Sequence, residues 1–231
     1  MIRAGFLLVA ILASVLSHGG KIEPPSINLI GESEKEFHQN WREQRFPFIA
    51  ATEYGVKAEG NRWVITGRSE DTSCALLRDL EVMNPTKMVL RWRWRSRGAL
   101  PGEIAERTKA GDDFAARVFV VFETSLIPTR TRAINYVWAT KEPVGGTFPS
   151  PYTRHVSHLV LRTNSHEPQA NIWQSERRDV LAYYEKIFGE PPTKISGVAI
   201  MVDSDNSGGR AEADFAEMFL EISPAPADSD P

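Results

Sequence analysis

The pattern of hydrophobic and polar positions predicts a protein built mainly of β-strands. Segments rich in Val, Ile, Phe and Trp alternate with stretches that contain Gly, Pro, Asn and Asp, which is typical of strands separated by turns. The predicted strands are residues 62–68, 88–95, 114–123, 133–139, 155–163, 170–175, 195–203 and 214–222. One helix is expected over Asp179–Phe188, because Gly189 and the prolines at 191–192 end it. We therefore predict an all-β fold, an antiparallel, jelly-roll-like β-sandwich of the galactose-binding-like type with one short helix.

The amino terminus has the three-part pattern of a secretory signal peptide. Arg3 precedes an uncharged apolar run from Ala4 to Leu16, and Ser17 and Gly19 place small residues before a cleavage point after residue 19. This run is shorter than the roughly 20 residues that a membrane-spanning helix needs. We therefore expect a periplasmic or secreted protein that has no membrane span after signal cleavage.

Composition divides the rest of the chain into three parts. We predict a polar arm or linker over residues 20–44, a β-sandwich domain over residues 45–223 and a disordered tail over residues 224–231, because the arm and tail carry too few apolar residues to pack a core. Cys74 is the only cysteine among 231 residues, so the domain has no intrachain disulfide and depends on its core.

Charge and motif content exclude several function classes. The 27 Lys and Arg residues against 30 Asp and Glu residues give a net charge of −3, so nothing indicates a nucleic-acid partner. The sequence lacks a Gly-x-Ser-x-Gly nucleophile elbow and a Gly-rich phosphate loop, which argues against serine hydrolases and nucleotide-dependent enzymes. The spacing of the five histidines does not favour a zinc site.

Residues 88–95 carry three regularly spaced arginines. Period-two alternation places the two tryptophans of this strand on one face and Arg91, Arg93 and Arg95 on the other. The arginines form either a stripe that binds sulfate, phosphate or uronate, or a set of ion pairs with neighbouring strands around a tryptophan core. In the reverse arrangement, exposed tryptophans would stack on sugar rings. Arg91 and Arg93 are therefore candidate ligand-binding residues.

The segment 112–123 places a charge in an apolar setting. Both faces of its strand are largely apolar, so Arg117 is expected to be half-buried and to need a carboxylate partner. Asp112 and Asp113 are near in sequence, although an acid on a neighbouring strand would be better placed. A catalytic dyad of these two aspartates is not favoured, because adjacent residues of a strand point to opposite faces. Asp112, Asp113 and Arg117 are candidate ligand-binding residues.

The segment from residue 203 to residue 214 has the spacing of a calcium-binding loop. Oxygen-bearing side chains stand at positions 1, 3, 5 and 12 and a glycine at position 6, which makes Asp203, Asp205, Ser207 and Asp214 candidate calcium ligands. The flanking segments look like strands rather than helices, so a calcium-stabilised hairpin loop is favoured over an EF-hand. The alternatives are a long polar turn with positive φ at Gly208–Gly209, or a loop that binds a ligand without metal.

Several motifs in order resemble one known family. They are Trp63–Val64, Leu90–Trp94, Asp112–Val118, Tyr136–Ala139, Ser150–Tyr152, Trp173, Glu176–Val180, Phe188–Gly189 and Ile200–Asn206. Together they resemble the bacterial proteins grouped as domain of unknown function 3047, over roughly residues 45 to 222. The resemblance implies an exported single domain without an assigned activity. It also marks Arg178, Asp179 and Asn206 as motif positions, which we add to the candidate ligand-binding residues.

Three functions fit these observations. The favoured hypothesis is a non-catalytic protein that binds a glycan or another component of the cell envelope, because the chain combines an export signal, a β-sandwich and abundant Trp and Tyr. The first alternative is a glycan-active hydrolase or lyase, which would need two carboxyl groups about 5 to 9.5 Å apart across a cleft. The second alternative is a structural envelope protein without a small-molecule site. Calcium is the one cofactor that the sequence suggests.

Overall fold

The computed structural model describes residues 26–97, 100–122, 131–164 and 171–224. The predicted signal peptide and residues 225–231 of the predicted tail lie outside these ranges. In chain order the elements are β1 (Ser26–Asn28), α1 (Glu34–Asn40), β2 (Arg42–Arg45), β3 (Glu53–Glu59), β4 (Arg62–Glu70), β5 (Cys74–Met83), β6 (Pro85–Ser96), β7 (Ala116–Phe122), β8 (Arg132–Ala139), β9 (Thr147–Pro149), β10 (Val156–Thr163), β11 (Gln174–Asp179), α2 (Val180–Phe188), β12 (Lys194–Met201) and β13 (Arg210–Pro224). Within the described ranges, no helix is long and apolar enough to cross a membrane.

The strands form two sheets, which confirms the predicted β-sandwich. The first sheet has the order β11-β6-β13-β4-β3, and β1 also pairs with β13. The second sheet has the order β2-β5-β12-β7-β8-β10-β9. Neighbouring strands are antiparallel except β8 and β10, which run parallel. A second helix, α1, departs from the prediction of one helix.

Aromatic side chains of the two sheets meet in the core. Trp92 and Trp94 are both buried, and the Trp94 ring lies 5.6 Å from that of Trp138 on the facing sheet. The Trp92 ring lies 5.4 Å from that of Tyr136. Period-two alternation along β6 therefore places its tryptophans inside and its arginines outside. This confirms the interpretation in which the tryptophans form a core and rules out their exposure to sugars.

The segment predicted as a polar arm is structured from residue 26 onward. Leu29, Ile30, Phe37 and Trp41 are all buried in the main core, and the Trp41 ring N–H donates to the Leu29 carbonyl at 2.9 Å. Helix α1 begins at Ser33, whose hydroxyl accepts the Glu36 amide at 3.2 Å. A few buried apolar side chains thus hold this segment against the core. The average composition of the segment, which is mostly polar, does not reveal them.

One predicted strand is displaced along the chain. The prediction of a strand over residues 170–175 is wrong in position, because β11 spans Gln174–Asp179. Among the described strands, β11 lies at the edge of its sheet next to β6, and all six of its residues are polar or charged. Its apolar content is therefore too low to mark it as a strand.

Helix α2 confirms the predicted helix and gives Asp179 a structural role. The Asp179 carboxylate caps the helix by accepting the Ala182 amide at 3.1 Å, and Gly189 ends it with a φ of 79°. Val180 and Tyr184 are its buried residues.

Asp179→Ala should lower the free energy of unfolding by about 1 kcal/mol, because it removes the N-cap acceptor. Urea denaturation measures this loss, and Asp179→Asn should recover most of it. Equal stability of the alanine variant and the wild type would contradict the capping role.

Candidate functional site

A cleft of about 450 Å³ lies on the outer face of the second sheet. Its floor comes from strand residues such as Arg117 and Phe119, which alternate with the core residues Val118 and Val120. Its walls come from the loops after β2, β9 and β12. The lining residues are Phe46, Pro47, Ile49, Ser73, Asp112, Arg117, Phe119, Ser150, Tyr152, Val156, His158, Met201, Asp203, Asp205 and Asn206. The volume falls within the range of about 300 to 1,000 Å³ that is usual for small-molecule sites.

Arg117 is the buried centre of the site. Its Nε donates to Asp203 Oδ1 at 2.8 Å, and its Nη2 bonds the second oxygen of the same carboxylate. Its Nη1 donates to Asp112 Oδ1 at 3.2 Å. Burial disfavours the guanidinium charge, but Asp203 and Asp112 outweigh this and raise the pKa of Arg117. The structure thus confirms the expected carboxylate partners, with Asp203 two residues beyond the register partner of Arg117, Met201.

His158 extends this cluster, although nothing in the sequence marks it as a site residue. Its Nδ1 lies 2.8 Å from the side-chain amide nitrogen of Asn135, and its Nε2 lies 3.3 Å from Asp112 Oδ1. Burial lowers the pKa of His158, so the neutral ring accepts the Asn135 amide at Nδ1, and its Nε2 faces Asp112. Burial alone would raise the pKa of Asp112, but Arg117 and His158 hold it below its usual value.

Asp113 organises the loop between β12 and β13. Its carboxylate accepts the backbone amide and the side-chain amide of Asn206, each at 3.0 Å. It also accepts the backbone amide of Ser207 and, at 2.6 Å, the Ser207 hydroxyl. Asp112 and Asp113 therefore point to different partners, which agrees with the expectation that they do not form a dyad.

Asp205 is held at the edge of the cleft by this loop. It is half-buried, and its Oδ1 is shielded from solvent without a hydrogen-bond partner among the described residues. Burial and the neighbouring Asp113 raise the pKa of Asp205. Nearby, the Tyr152 hydroxyl donates to Asn206 Oδ1 at 2.5 Å, while 55% of Tyr152 is exposed. The cleft therefore contains an oxygen acceptor without a partner, shielded from solvent in this structure, near an accessible aromatic ring.

The structure does not assemble the predicted set of four calcium ligands. Asp214 lies on β13 and pairs with Arg95 and Arg97 at 2.7 and 2.6 Å on the first sheet. Asp214 lies on the first sheet because residues 203–214 form a turn followed by strand β13, instead of a twelve-residue calcium-binding loop. Asp203 and Asp205 do lie near Asp113, with carboxylate oxygens within 4.8 Å of one another. Protein donors, however, already occupy Asp113 and Asp203.

We therefore expect the melting temperature to be the same in calcium and in chelator. A cation that binds the folded state would raise it, and Asp205→Ala would then remove that rise. A calcium-dependent increase that Asp205→Ala abolishes would contradict this expectation.

The remaining candidate residues lie outside the cleft. On the outer face of the first sheet, Arg91 pairs with Glu221 at 2.7 Å and Arg93 with Glu217 at 3.4 Å. Arg178 pairs with Glu176 on the edge strand β11. The arginines of β6 are thus paired with acidic residues of neighbouring strands, which is one of the alternatives that the sequence predicted. The structure brings together Asp112, Asp113, Arg117, Asp203, Asp205, Asn206 and Ser207, and separates them from Arg91, Arg93, Arg178, Asp179 and Asp214.

Solved structures with a related fold include carbohydrate-binding proteins. The family 11 carbohydrate-binding module from Clostridium thermocellum, in complex with a β-1,3-1,4-mixed-linked tetrasaccharide, is 9% identical, with a TM-score of 0.43 over 89% of this chain and 99% of that chain. The carbohydrate recognition domain of Emp46p is 15% identical, with a TM-score of 0.43 over 83% and 92%. The winged bean acidic lectin, complexed with methyl-α-D-galactose, is 11% identical, with a TM-score of 0.41 over 87% and 100%. This likeness concerns the fold alone.

Comparison at the level of sequence gives a family but no function. No curated protein matches the chain. The model of a family described as a protein of unknown function, DUF3047, matches residues 39–219 and so includes every strand and loop that lines the cleft. The chain belongs to this family, the one that its motifs resemble.

Proposed function

We propose that the protein is a non-catalytic binder of a glycan of the cell envelope, and that the cleft on the second sheet holds the sugar. The observation that carries this proposal is the unpaired Asp205 Oδ1 beside the accessible Tyr152 ring. A shielded acceptor without a partner is costly, and a ligand hydroxyl would satisfy it. Sugars combine several hydroxyl donors with apolar ring faces that pack on aromatic side chains.

The charge of the cleft favours a neutral sugar. Four carboxylates surround the single guanidinium of Arg117; they are Asp112, Asp113, Asp203 and Asp205. His158 adds no compensating charge, because burial keeps its ring neutral. Phosphate, sulfate or uronate groups would meet this negative excess, whereas hydroxyl groups would donate to it.

The carboxylates of the cleft support binding over hydrolysis. A glycosidase of the usual kind needs two carboxyl groups free to act on opposite sides of the bond. Asp112 and Asp203 are held by Arg117, and Asp113 is held by the loop that follows β12. Among the described acids that line the cleft, Asp205 has a buried oxygen without a hydrogen-bond partner.

A screen against neutral oligosaccharides tests this proposal. We expect the purified protein to bind at least one of a set containing cello-, xylo-, manno- and chito-oligosaccharides, and to leave the bound chain intact on prolonged incubation. Chromatography of the incubated ligand reports intactness. Failure to bind any neutral glycan would refute the proposed ligand class, and release of shorter products would refute the non-catalytic role.

We further propose that the protein acts outside the cytoplasm, after cleavage behind Gly19. The three-part pattern of residues 1–19 supports this location. Expression of the full chain in a bacterium, followed by fractionation and amino-terminal sequencing, should give an exported protein that begins at Gly20. A protein that stays in the cytoplasm with Met1 or Ile2 at its terminus would contradict the proposal.

A further inference from the structure

A second groove, of about 270 Å³, lies on the outer face of the first sheet, away from the cleft. The central strand β6 forms its floor, and β11 and β13 form its walls. The side chains that matter most are Arg91, Arg93, Arg177, Glu217 and Phe219.

A β-bulge shapes one wall of this groove. The pairing of β13 with β6 is interrupted between Ala216 and Phe219, and Glu217 adopts a φ of 49°. Bulges of this kind redirect side chains and are frequent beside functional sites. Here Glu217 contacts two arginines, Arg62 at 2.9 Å and Arg93 at 3.4 Å.

Guanidinium groups outnumber carboxylates along the groove. Glu217 pairs with both Arg62 and Arg93, and Glu221 pairs with both Arg91 and Arg177. Two further carboxylates belong to this set, since Glu59 also pairs with Arg62 and Glu176 pairs with Arg178. Arg177 is accessible, with 60% of its side chain exposed. The groove therefore has an excess of positive charge and an exposed guanidinium that an anionic group would pair with.

We propose that this groove is a second ligand site, which binds the carboxylate groups of a uronate-bearing oligosaccharide. This goes beyond the neutral-sugar cleft, because the two surfaces have opposite charge. The arginines would pair with uronate carboxylates, and the interspersed Glu217 and Glu221 would accept sugar hydroxyls. The Phe219 ring, 5.2 Å from the Arg91 guanidinium, offers an apolar surface to a sugar ring.

The test uses hexagalacturonate and its carboxyl-reduced neutral counterpart as probes in calorimetric titrations. We expect the wild type to bind the acidic hexamer and to lose affinity as the salt concentration rises. Arg91→Gln and Arg177→Gln should each raise Kd about tenfold. The matched control is Arg42→Gln, which removes an exposed arginine paired with one carboxylate, Asp79, on the other sheet; its Kd should equal that of the wild type.

Variants of the cleft and of the groove distinguish failure of this proposal from failure of the proposal that the cleft binds a neutral sugar. Asp205→Ala should leave hexagalacturonate binding unchanged, whatever it does to a neutral ligand. Absence of hexagalacturonate binding would overturn the proposal. Equal binding of the acidic and reduced hexamers would also overturn it, as would Kd values in Arg91→Gln and Arg177→Gln that match the Arg42→Gln control.

Discussion

Arg117→Met is expected to lower the free energy of unfolding by about 3–5 kcal/mol. The substitution keeps most of the side-chain volume and removes the charge, so Asp203 and Asp112 lose the buried cation that they share at the floor of the cleft. Urea denaturation near neutral pH measures the loss. Arg117→Ala should cost more, because it also leaves a void.

The pH dependence identifies the cause of this loss. In the wild type the pKa of Asp112 is lowered, so its stabilising contribution is present above the ordinary aspartate pKa and disappears as pH falls through the lowered value. Burial already raises the pKa of Asp203 in the wild type. In Arg117→Met neither buried carboxylate has a cation, which raises both pKa values further, so protonation as pH falls should partly restore stability. The gap between variant and wild type should therefore narrow as pH falls.

The control for this prediction is Arg42→Met, which breaks an exposed ion pair with Asp79. Exposed pairs contribute about 0 to 1 kcal/mol. If Arg117→Met were no more destabilising than this control, or if the gap were independent of pH, the buried ion pairs would not be a main support of the fold.

Asp113→Ala is expected to lower the free energy of unfolding by about 2–4 kcal/mol and to abolish glycan binding in the cleft. The carboxylate holds four donors of Asn206 and Ser207, and the loop that it anchors also positions Asp205. Loss of the anchor leaves partly buried N–H groups unpaired and releases the residue that carries the free acceptor. Chemical denaturation and oligosaccharide titration measure the two effects.

Asp113→Asn is the matched variant for this prediction. It keeps one acceptor oxygen, so its stability and affinity should lie between those of the wild type and Asp113→Ala. Asp79→Ala removes an exposed carboxylate of the same sheet and should change neither property. Wild-type affinity in Asp113→Ala would show that the loop does not depend on this contact.

The features that could be predicted from the sequence are those set by local periodicity. Alternation along β6 is enough to bury Trp92 and Trp94, because side chains of a strand point to opposite faces whatever the strand pairs with. The need of Arg117 for a carboxylate could be predicted in the same way, from an arginine within an apolar strand.

The features that could not be predicted depend on long-range pairing. His158 joins the site because β10 runs parallel to β8 and places it beside Asn135, and no local signal specifies that register. Asp214 is an example of a local pattern that misleads. Residues 203–214 have the spacing of a calcium-binding loop, but they form a turn followed by strand β13. Helix α1 has no sequence pattern that predicts it, because it carries one buried residue, Phe37, among polar neighbours.

The most direct test of the proposal that the cleft binds a glycan is a calorimetric titration of the neutral oligosaccharide that gives the strongest signal in the screen. The wild type should bind one molecule, and Asp205→Ala and Tyr152→Ala should each raise Kd about tenfold or more, since each removes a contact to the sugar. Arg91→Gln, on the other sheet, and Asp79→Ala should bind as the wild type does. Unchanged affinity in both cleft variants, with circular dichroism spectra like that of the wild type, would contradict the proposal that the cleft binds the sugar. The sugar would then bind elsewhere on the protein.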